Sequence, residues 1–179
     1  MEQKEIILGV TGSIAAYKAA DLANNLTKEN ILVHVIMTAA AAEFITPLTF
    51  QTLTKNKVYV DMFEKVDYPD VRHISLAQRA SLLLIAPASA NTIAKLAAGI
   101  ADNMLTSVAL ASPKTPKILA PAMNTAMYEN PVTQDNMEKL AKYGYKFIAP
   151  RASRLACGDT GRGALADVSE IIEITLSFL

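Results

Sequence analysis

The chain of 179 residues carries 17 Lys and Arg against 17 Asp and Glu, which excludes the basic field of a nucleic-acid-binding domain. Its single cysteine, Cys157, excludes an intramolecular disulfide framework, and no His/Cys cluster has zinc-ligand spacing. No stretch approaches the roughly 20 apolar residues of a membrane span, and the N-terminus lacks the features of a signal peptide. We therefore expect one domain, residues 1–179, in a reduced, cytoplasmic setting.

Apolar runs and amphipathic stretches alternate along the chain, and Gly, Pro and capping residues mark their ends. In the first half of the chain the predicted elements are strand 6–10, helix 14–28, strand 31–38, helix 38–54 with a break or restart at Pro47, short strand 57–63 and polar loop 64–74. In the second half they are strand 81–87, a helix through 93–100 with caps at 89–92, helix 103–111 capped by Asp102, and strand then loop 117–124. Helix 131–144, strand 145–150, a glycine-rich loop and helix 166–179 complete the chain. This order predicts an α/β fold: a doubly wound, mostly parallel sheet with helices on both faces, Rossmann- or flavodoxin-like.

Small and polar residues cluster where the predicted strands end. These clusters are TGS at 11–13, Thr38, PASANT at 87–92, PAMN at 121–124, and the cysteine-containing segment that begins at Pro150. Because the carboxyl ends of parallel strands meet at one edge of a sheet, we expect the functional site at that edge.

Two of these clusters have the character of an anion site. VTGSIAAYK (10–18) combines a tight glycine turn, a hydroxyl and a helix N-terminus, whose free N–H groups suit a phosphate. It is neither a full GxGxxG nor a Walker A motif, and the alternative is an ordinary strand–turn–helix connection. PASANT repeats the pattern with Ser89, Asn91 and Thr92, and two such sites on one edge favour a single phosphate-bearing ligand.

Three further residues are candidates for chemistry, each with a plainer alternative. His73, in the polar loop, is a general base or a solvated side chain, whereas His34 reads as a strand histidine hydrogen-bonded in the packing. Asn124 donates to a carboxylate or caps a turn. Cys157, on a loop whose glycines let it hinge, is a reactive thiol or a small inert side chain.

Taken together, several segments resemble the homo-oligomeric flavin-containing cysteine decarboxylase family. The matching segments are GSIAAYK (12–18), His73 in RHISL, APASANTIAKLAAGIADNML (86–105), PAMNTAMYENP (121–131) and ACGDTGRGAL (156–165). They span nearly the whole chain in family order. The resemblance implies a doubly wound fold that binds FMN, with active sites at the subunit interfaces of a homotrimer or a trimer-based dodecamer.

The resemblance also implies a role for individual residues. His73 matches the family's active-site histidine, Asn124 the asparagine that holds the substrate carboxylate, and Cys157 a cysteine on a flap that closes over the substrate. The residues that match the FMN-binding positions are Gly12, Ser13, Ile14, Thr38, Ser89, Asn91 and Thr92. Lys95 and Arg162 are candidates for the substrate phosphate, and no metal site is expected.

The activity that the resemblance implies is decarboxylation of 4'-phosphopantothenoylcysteine to 4'-phosphopantetheine in coenzyme A biosynthesis. It proceeds through transient thiol oxidation, loss of CO2 and re-reduction of the enethiol, so there is no net oxidation. Alternatives are a peptidyl-cysteine oxidative decarboxylase that stops at the enethiol, a non-catalytic FMN-binding regulatory subunit, and a flavodoxin-like electron carrier. The expected partner is the small-molecule substrate, with neither nucleic acid nor membrane involved.

Overall fold

A computed structural model describes residues 3–63, 72–154 and 160–179, and the fold is organised around a parallel sheet. Six strands form it in the order β3-β2-β1-β4-β5-β6, and every neighbouring pair is parallel. The strands are β1 (Glu5–Val10), β2 (Leu32–Met37), β3 (Val58–Tyr59), β4 (Leu82–Ala88), β5 (Lys117–Pro121) and β6 (Lys146–Phe147). The mostly parallel sheet predicted from the sequence is confirmed.

Helices connect the strands and cover both faces of the sheet. They are α1 (Lys18–Lys28), α2 (Ala39–Ala42), α3 (Pro47–Thr54), α4 (Arg72–Arg79), α5 (Ala90–Ala98), α6 (Met104–Ala111), α7 (Thr125–Glu129), α8 (Pro131–Lys142) and α9 (Val168–Ser177), with a 3-10 turn at Ile14–Tyr17 before α1. Pro47 is the first residue of α3, as the predicted restart requires, because proline needs no N–H partner at that position.

Two hydrophobic cores follow from the alternation of side chains along the strands. Ile6 and Leu8 of β1 face a core that α1, α3 and α9 complete, whereas Ile7 faces a core completed by α4, α5, α6 and α8. β4 is buried at every residue, as expected for a central strand covered on both faces. Both faces being covered, ligands reach the sheet only at its edges and strand ends.

The strand order reverses direction between β1 and β4. From β1 the chain proceeds outward to β2 and β3, then returns to place β4 on the other side of β1. Ile6 of β1 therefore pairs with Val33 of β2 on one side and Leu82 of β4 on the other. In doubly wound sheets the crevice at this switch point, outside the carboxyl ends of the strands, is where ligands bind.

The structure corrects the predicted loop at 64–74. His73 lies in α4, which begins at Arg72, while residues 64–71 fall outside the described part of the chain. The first turn of a helix is commonly polar because its N–H groups have no partner inside the helix, and that polarity concealed the start of α4. Leu76 and Ala77 are the residues that α4 buries against the sheet.

The predicted cap of α6 is also wrong. Asn103 occupies the N-cap position, and its side-chain oxygen accepts the Thr106 N–H over 3.0 Å. Asp102 instead binds Lys95 of α5. Asparagine and aspartate both cap helices well, and the sequence analysis placed Asn103 inside the helix rather than at its cap.

The glycine-rich segment near the C-terminus, predicted as a loop, contains strands. β7 (Arg151–Arg154) and β8 (Thr160–Ala164) pair antiparallel as a separate two-stranded sheet. Residues 155–159 between them, with Cys157, lie outside the described residues. A glycine-rich strand lacks the apolar alternation that marks a strand in a sequence, so pattern reasoning missed it.

Candidate active site

A cleft of about 910 Å³ opens at the carboxyl edge of the sheet. Its volume lies in the range of pockets that enclose small organic ligands. The residues that line it come from the ends of β1, β2, β4 and β5 and from the β7–β8 hairpin: Gly12, Ser13, Ile14, Ala15, Tyr17, Lys18, Thr38, Ala39, Ala40, Phe44, Ser89, Ala90, Asn91, Thr92, Lys95, Asp102, Asn103, Ala122, Met123, Asn124, Met127, Arg151, Gly163, Ala164 and Leu165. The convergence of strand ends on one edge that the sequence predicted is therefore present.

The loop after β1 forms the floor of the cleft at the switch point. Ser13 is the N-cap of the 3-10 turn, and its hydroxyl accepts the Ala15 N–H over 3.3 Å. Gly12 passes close to α2, where a Cβ at this position would lie 2.6 Å from the Cβ of Ala40. Only glycine permits this approach without a shift of backbone, which explains a glycine at this turn.

Two more cleft residues cap helices that begin at its wall. Thr38 accepts the Ala41 N–H over 3.2 Å at the start of α2. Ser89 accepts the Thr92 N–H over 3.3 Å at the start of α5. The nine-residue helix α5 thus presents its N-terminal, electropositive end to the cleft, while Thr38 caps the single turn of α2.

Asn124 lines the same cleft and follows β5. Its Oδ1 accepts the Ala126 N–H over 2.8 Å and so caps α7. The β7–β8 hairpin is hydrogen-bonded to the same segment, because the Met123 N–H donates to the Gly163 carbonyl over 2.9 Å. Gly163 has a φ of +148°, and a Cβ there would collide with the Met123 carbonyl oxygen, so a glycine is required for the hairpin to reach Asn124.

Charged side chains line the rim of the cleft, and two of the cations are paired. Lys95 Nζ lies 2.5 Å from Asp102 Oδ2, and Arg151 Nη1 lies 2.6 Å from Asp167 Oδ1. The hydrogen bond from Lys95 lowers the pKa of the Asp102 carboxyl below its usual value. Lys18 is half-buried and has no carboxylate partner among the residues described.

The structure brings together most of the residues predicted for the site. Those that line the one cleft are Gly12, Ser13, Ile14, Thr38, Ser89, Asn91, Thr92 and Asn124. His73 is half-buried on α4 and is not among the residues that line the cleft of this single chain. Arg162 is exposed on β8, and Cys157 lies outside the described residues. No group of metal-ligating side chains occurs within residues 3–63, 72–154 and 160–179.

Several cleft residues were missed by the sequence reasoning. Lys18 closes the GSIAAYK motif that was already singled out, so the motif itself contained the signal. The same motif contains Tyr17, whereas Phe44 carried no pattern that pointed to a ligand. The segment from Pro150 was predicted to lie at this edge, but the presence of Arg151 and Leu165 in the lining depends on the pairing of β7 with β8, which the sequence analysis did not predict.

Comparison with known proteins gives a consistent result. A family model described as Flavoprotein matches residues 1–179. A probable phosphopantothenoylcysteine decarboxylase of Streptococcus mutans is 59% identical over 171 residues, which are 95% of this chain and 96% of that protein. The coenzyme A biosynthesis bifunctional protein CoaBC of Borreliella burgdorferi is 43% identical over 176 residues. The match covers 98% of this chain but only 45% of that relative's length.

Solved structures with the same fold include flavin proteins. A cysteine-to-serine mutant of PPC decarboxylase, complexed with pantothenoylaminoethenethiol, superposes with a TM-score of 0.87 at 34% identity, over 99% of this chain and 98% of the other. The FMN binding protein AtHal3 superposes with a TM-score of 0.85 at 34% identity, over 99% of this chain and 97% of the other. The expected doubly wound fold is thus confirmed by comparison as well as by the strand order.

Proposed function

Because this chain belongs to the flavoprotein family, we propose that it is an FMN-dependent carboxy-lyase that converts 4'-phosphopantothenoylcysteine to 4'-phosphopantetheine in coenzyme A biosynthesis. The resemblance to flavin-containing cysteine decarboxylases expected from the sequence is confirmed by the relatives and the structural neighbours. The observation that carries the proposal is that the N-terminus of α5 at Ser89 and the amide of Asn124 line one cleft.

The residues of the cleft suit FMN, which combines a flat apolar ring system with an anionic phosphate. Alanine and methionine side chains supply apolar wall, notably Ala122, Met123 and Met127. Ser89 stands at the N-terminus of α5, where N–H groups and the helix dipole favour a phosphate, and the Thr38 hydroxyl lines the same cleft. The AtHal3 neighbour, an FMN binding protein, supports the choice of FMN among flavins.

We assign the FMN-binding role to the loops after β1, β2 and β4. FMN, when bound, supplies the transient oxidation of the substrate thiol and the re-reduction of the enethiol, which lets CO2 leave without net oxidation. Gly12 keeps the first loop close to α2, and Ser13, Ile14 and Thr38 border the same wall. The remaining assigned residues, on the other side of the switch point, are Ser89, Asn91 and Thr92.

Asn124 is proposed to hold the substrate carboxylate. Its Oδ1 accepts the Ala126 N–H, which fixes which end of the amide faces α7. The other end, Nδ2, is a donor, and a carboxylate is an acceptor only. The hydrogen bond from the Met123 N–H to the Gly163 carbonyl keeps β8 beside this amide.

His73 is proposed to act as the base for the oxidation and decarboxylation, and Cys157 to donate the proton that the enethiol carbon receives. Since His73 does not line the cleft of its own chain, we propose that a neighbouring subunit of a homotrimer or trimer-based dodecamer brings it to the site. Exposed apolar side chains at the cleft agree with such coverage, since Ile14 is 60%, Tyr17 60% and Phe44 51% exposed. A cytoplasmic location stays a prediction; no helix among the described residues is long and apolar enough to cross a membrane.

The decisive experiment is incubation of the purified, yellow protein with 4'-phosphopantothenoylcysteine, followed by mass analysis of the product. The proposal requires loss of CO2 alone. A product that is lighter by two further hydrogens would identify an oxidative decarboxylase that stops at the enethiol. Protein that binds FMN and leaves the substrate intact would identify a non-catalytic flavin subunit, and colourless protein that takes up no FMN would refute the flavin site.

A further inference from the structure

Thr11, at the end of β1, connects two loops that lie far apart in the sequence. Its side chain is completely buried. The hydroxyl donates to the carbonyl oxygen of Pro87 over 2.7 Å and accepts the backbone N–H of Ser89 over 2.8 Å, partners 76 and 78 residues away. One oxygen atom therefore spans the switch point between β1 and β4.

The main chain of Thr11 fixes the nearer loop as well. Its carbonyl oxygen accepts the Ser13 N–H over 2.8 Å, which closes the turn through Gly12. Ser89, on the far side, is the N-cap of α5 and receives the Thr92 N–H. Thr11 thus has hydrogen bonds to both of the loops that border the cleft at the switch point.

We propose that Thr11 is a positioning residue for FMN, which sets the distance between the Gly12–Ser13 turn and the start of α5. This role rests on the proposed function, because it requires FMN to occupy the cleft between those loops. In so small a buried volume, only a hydroxyl side chain both donates and accepts strongly. A methyl group in its place leaves the Pro87 carbonyl and the Ser89 N–H without partners, and the two loops move apart to recover them.

Two other buried threonines, Thr175 and Thr54, do not share this arrangement. Thr175 is also completely buried, but its hydroxyl donates to the Ile171 carbonyl one turn back within α9, over 2.6 Å. Thr54 does the same within α3, toward Phe50 over 2.8 Å. Neither residue lines the cleft, so Thr175→Val reproduces the burial and chemical change of Thr11→Val without touching the loops.

The test measures release of FMN when the purified holoprotein is diluted, followed by the recovery of flavin fluorescence, for Thr11→Val, Thr11→Ser and Thr175→Val. We expect the dissociation constant of FMN to rise about tenfold or more in Thr11→Val, because two buried polar groups lose their partner. Thr11→Ser keeps the hydroxyl and should restore the affinity to within about twofold of the wild type. Thr175→Val should unfold at a lower denaturant concentration and yet retain FMN as the wild type does.

Each contrary outcome has a distinct meaning. Wild-type protein that takes up no FMN contradicts the proposed function itself. Wild-type protein that binds FMN while Thr11→Val binds it equally well overturns only the role of Thr11. An equal loss of FMN in Thr175→Val, or a Thr11→Val chain that fails to fold in excess FMN, also overturns that role, since general stability would then explain the effect.

Discussion

Nζ of Lys95 lies 2.5 Å from Oδ2 of Asp102, so a cation on the wall of the cleft is already neutralised by a carboxylate. Lys95 follows Asn91 by one helical turn and shares its face of α5. Lys18 lines the same cleft without a carboxylate partner among the described residues. The contrast indicates that Lys18, rather than Lys95, attracts an anionic ligand.

We expect Lys18→Met to weaken binding of a phosphate-bearing ligand about tenfold, the usual scale for one lost charge-assisted hydrogen bond. The control is the double variant Lys95→Met/Asp102→Asn, which removes a cation and an anion together and should change the affinity less than about twofold. Measurements are the FMN dissociation constant and the KM of the substrate with and without its phosphate. A change confined to the phosphorylated substrate assigns Lys18 to the substrate, and an equal loss in the double variant would contradict the assignment.

His34 gives the stability of the fold a pH dependence. It lies on β2, and its Nε2 is 3.1 Å from Glu5 Oε2. Burial lowers the pKa of His34 more than the neighbouring Glu5 raises it. Because His34 binds a proton more readily in the unfolded chain than in the folded one, the contribution of its neutral form to stability is fully present above pH 6.5 and is lost as the pH falls through the lowered pKa.

Urea unfolding midpoints at several pH values between 8 and 5 measure this effect. The wild type should lose stability over that interval, and His34→Gln should lose less because the group that must be charged is absent. Glu5→Gln removes the partner that raises the pKa of His34, so the proton is bound at still lower pH. A His34→Gln profile identical to the wild type would contradict the linkage.

The sequence predicted the mostly parallel sheet and the edge of the sheet at which the cleft opens. Buried runs such as β4 and cap residues such as Ser89 are local signals, and parallel strands necessarily bring their carboxyl ends together. The predicted strands at 57–63 and 145–150 are shorter in the structure, Val58–Tyr59 and Lys146–Phe147, because edge strands have only one neighbour to pair with.

The features that the sequence analysis missed depend on contacts between segments that are distant in the chain. The β7–β8 hairpin lacks an apolar alternation, and its position over Asn124 depends on the fit of Gly163 against Met123. The link from Thr11 to Ser89 joins residues 78 positions apart through a side chain that any strand end could carry. The proposed role of His73 requires a neighbouring subunit, and the periodicity of one chain does not predict subunit contacts.

Asn124→Asp tests the carboxylate site with little disturbance of the fold. Aspartate is as good an N-cap as asparagine, so α7 should keep its cap. A carboxylate facing the substrate carboxylate repels it, and kcat/KM should fall tenfold or more, about 1.4 kcal/mol at least, with most of the loss in KM. Asn130→Asp is the matched control, because Asn130 caps α8 through the Val132 N–H over 2.9 Å and does not line the cleft. Equal losses in both variants would contradict the assignment.

His73→Asn should lower the rate of CO2 release on the order of 100-fold or more, because asparagine cannot act as a base. Retained FMN absorbance would show that the fold and the flavin site are intact. His34→Gln, at the other histidine, should stay active near neutral pH.

Mixed oligomers can test whether a neighbouring subunit contributes His73 to the site. Mixed oligomers of His73→Asn and Asn124→Asp subunits, made by co-expression, should regain part of the activity, since some interfaces then combine an intact His73 with an intact Asn124. No recovery in oligomers shown to contain both subunits would indicate that each chain supplies both residues to one site.

Cys157→Ser separates the two halves of the reaction. A thiol has a pKa near 8.5 and can give up its proton at neutral pH, whereas the alcohol of serine is a far weaker acid. The variant should therefore still release CO2 but deliver an enethiol, lighter than 4'-phosphopantetheine by two hydrogens, and stop after about one turnover because the oxidised product is not re-reduced. The structural neighbour that carries a cysteine-to-serine change is complexed with pantothenoylaminoethenethiol, in keeping with this outcome. A normal yield of 4'-phosphopantetheine from Cys157→Ser would show that the proton comes from another group. His73 would then be the first candidate, because a base that has accepted a proton earlier in the reaction can return it.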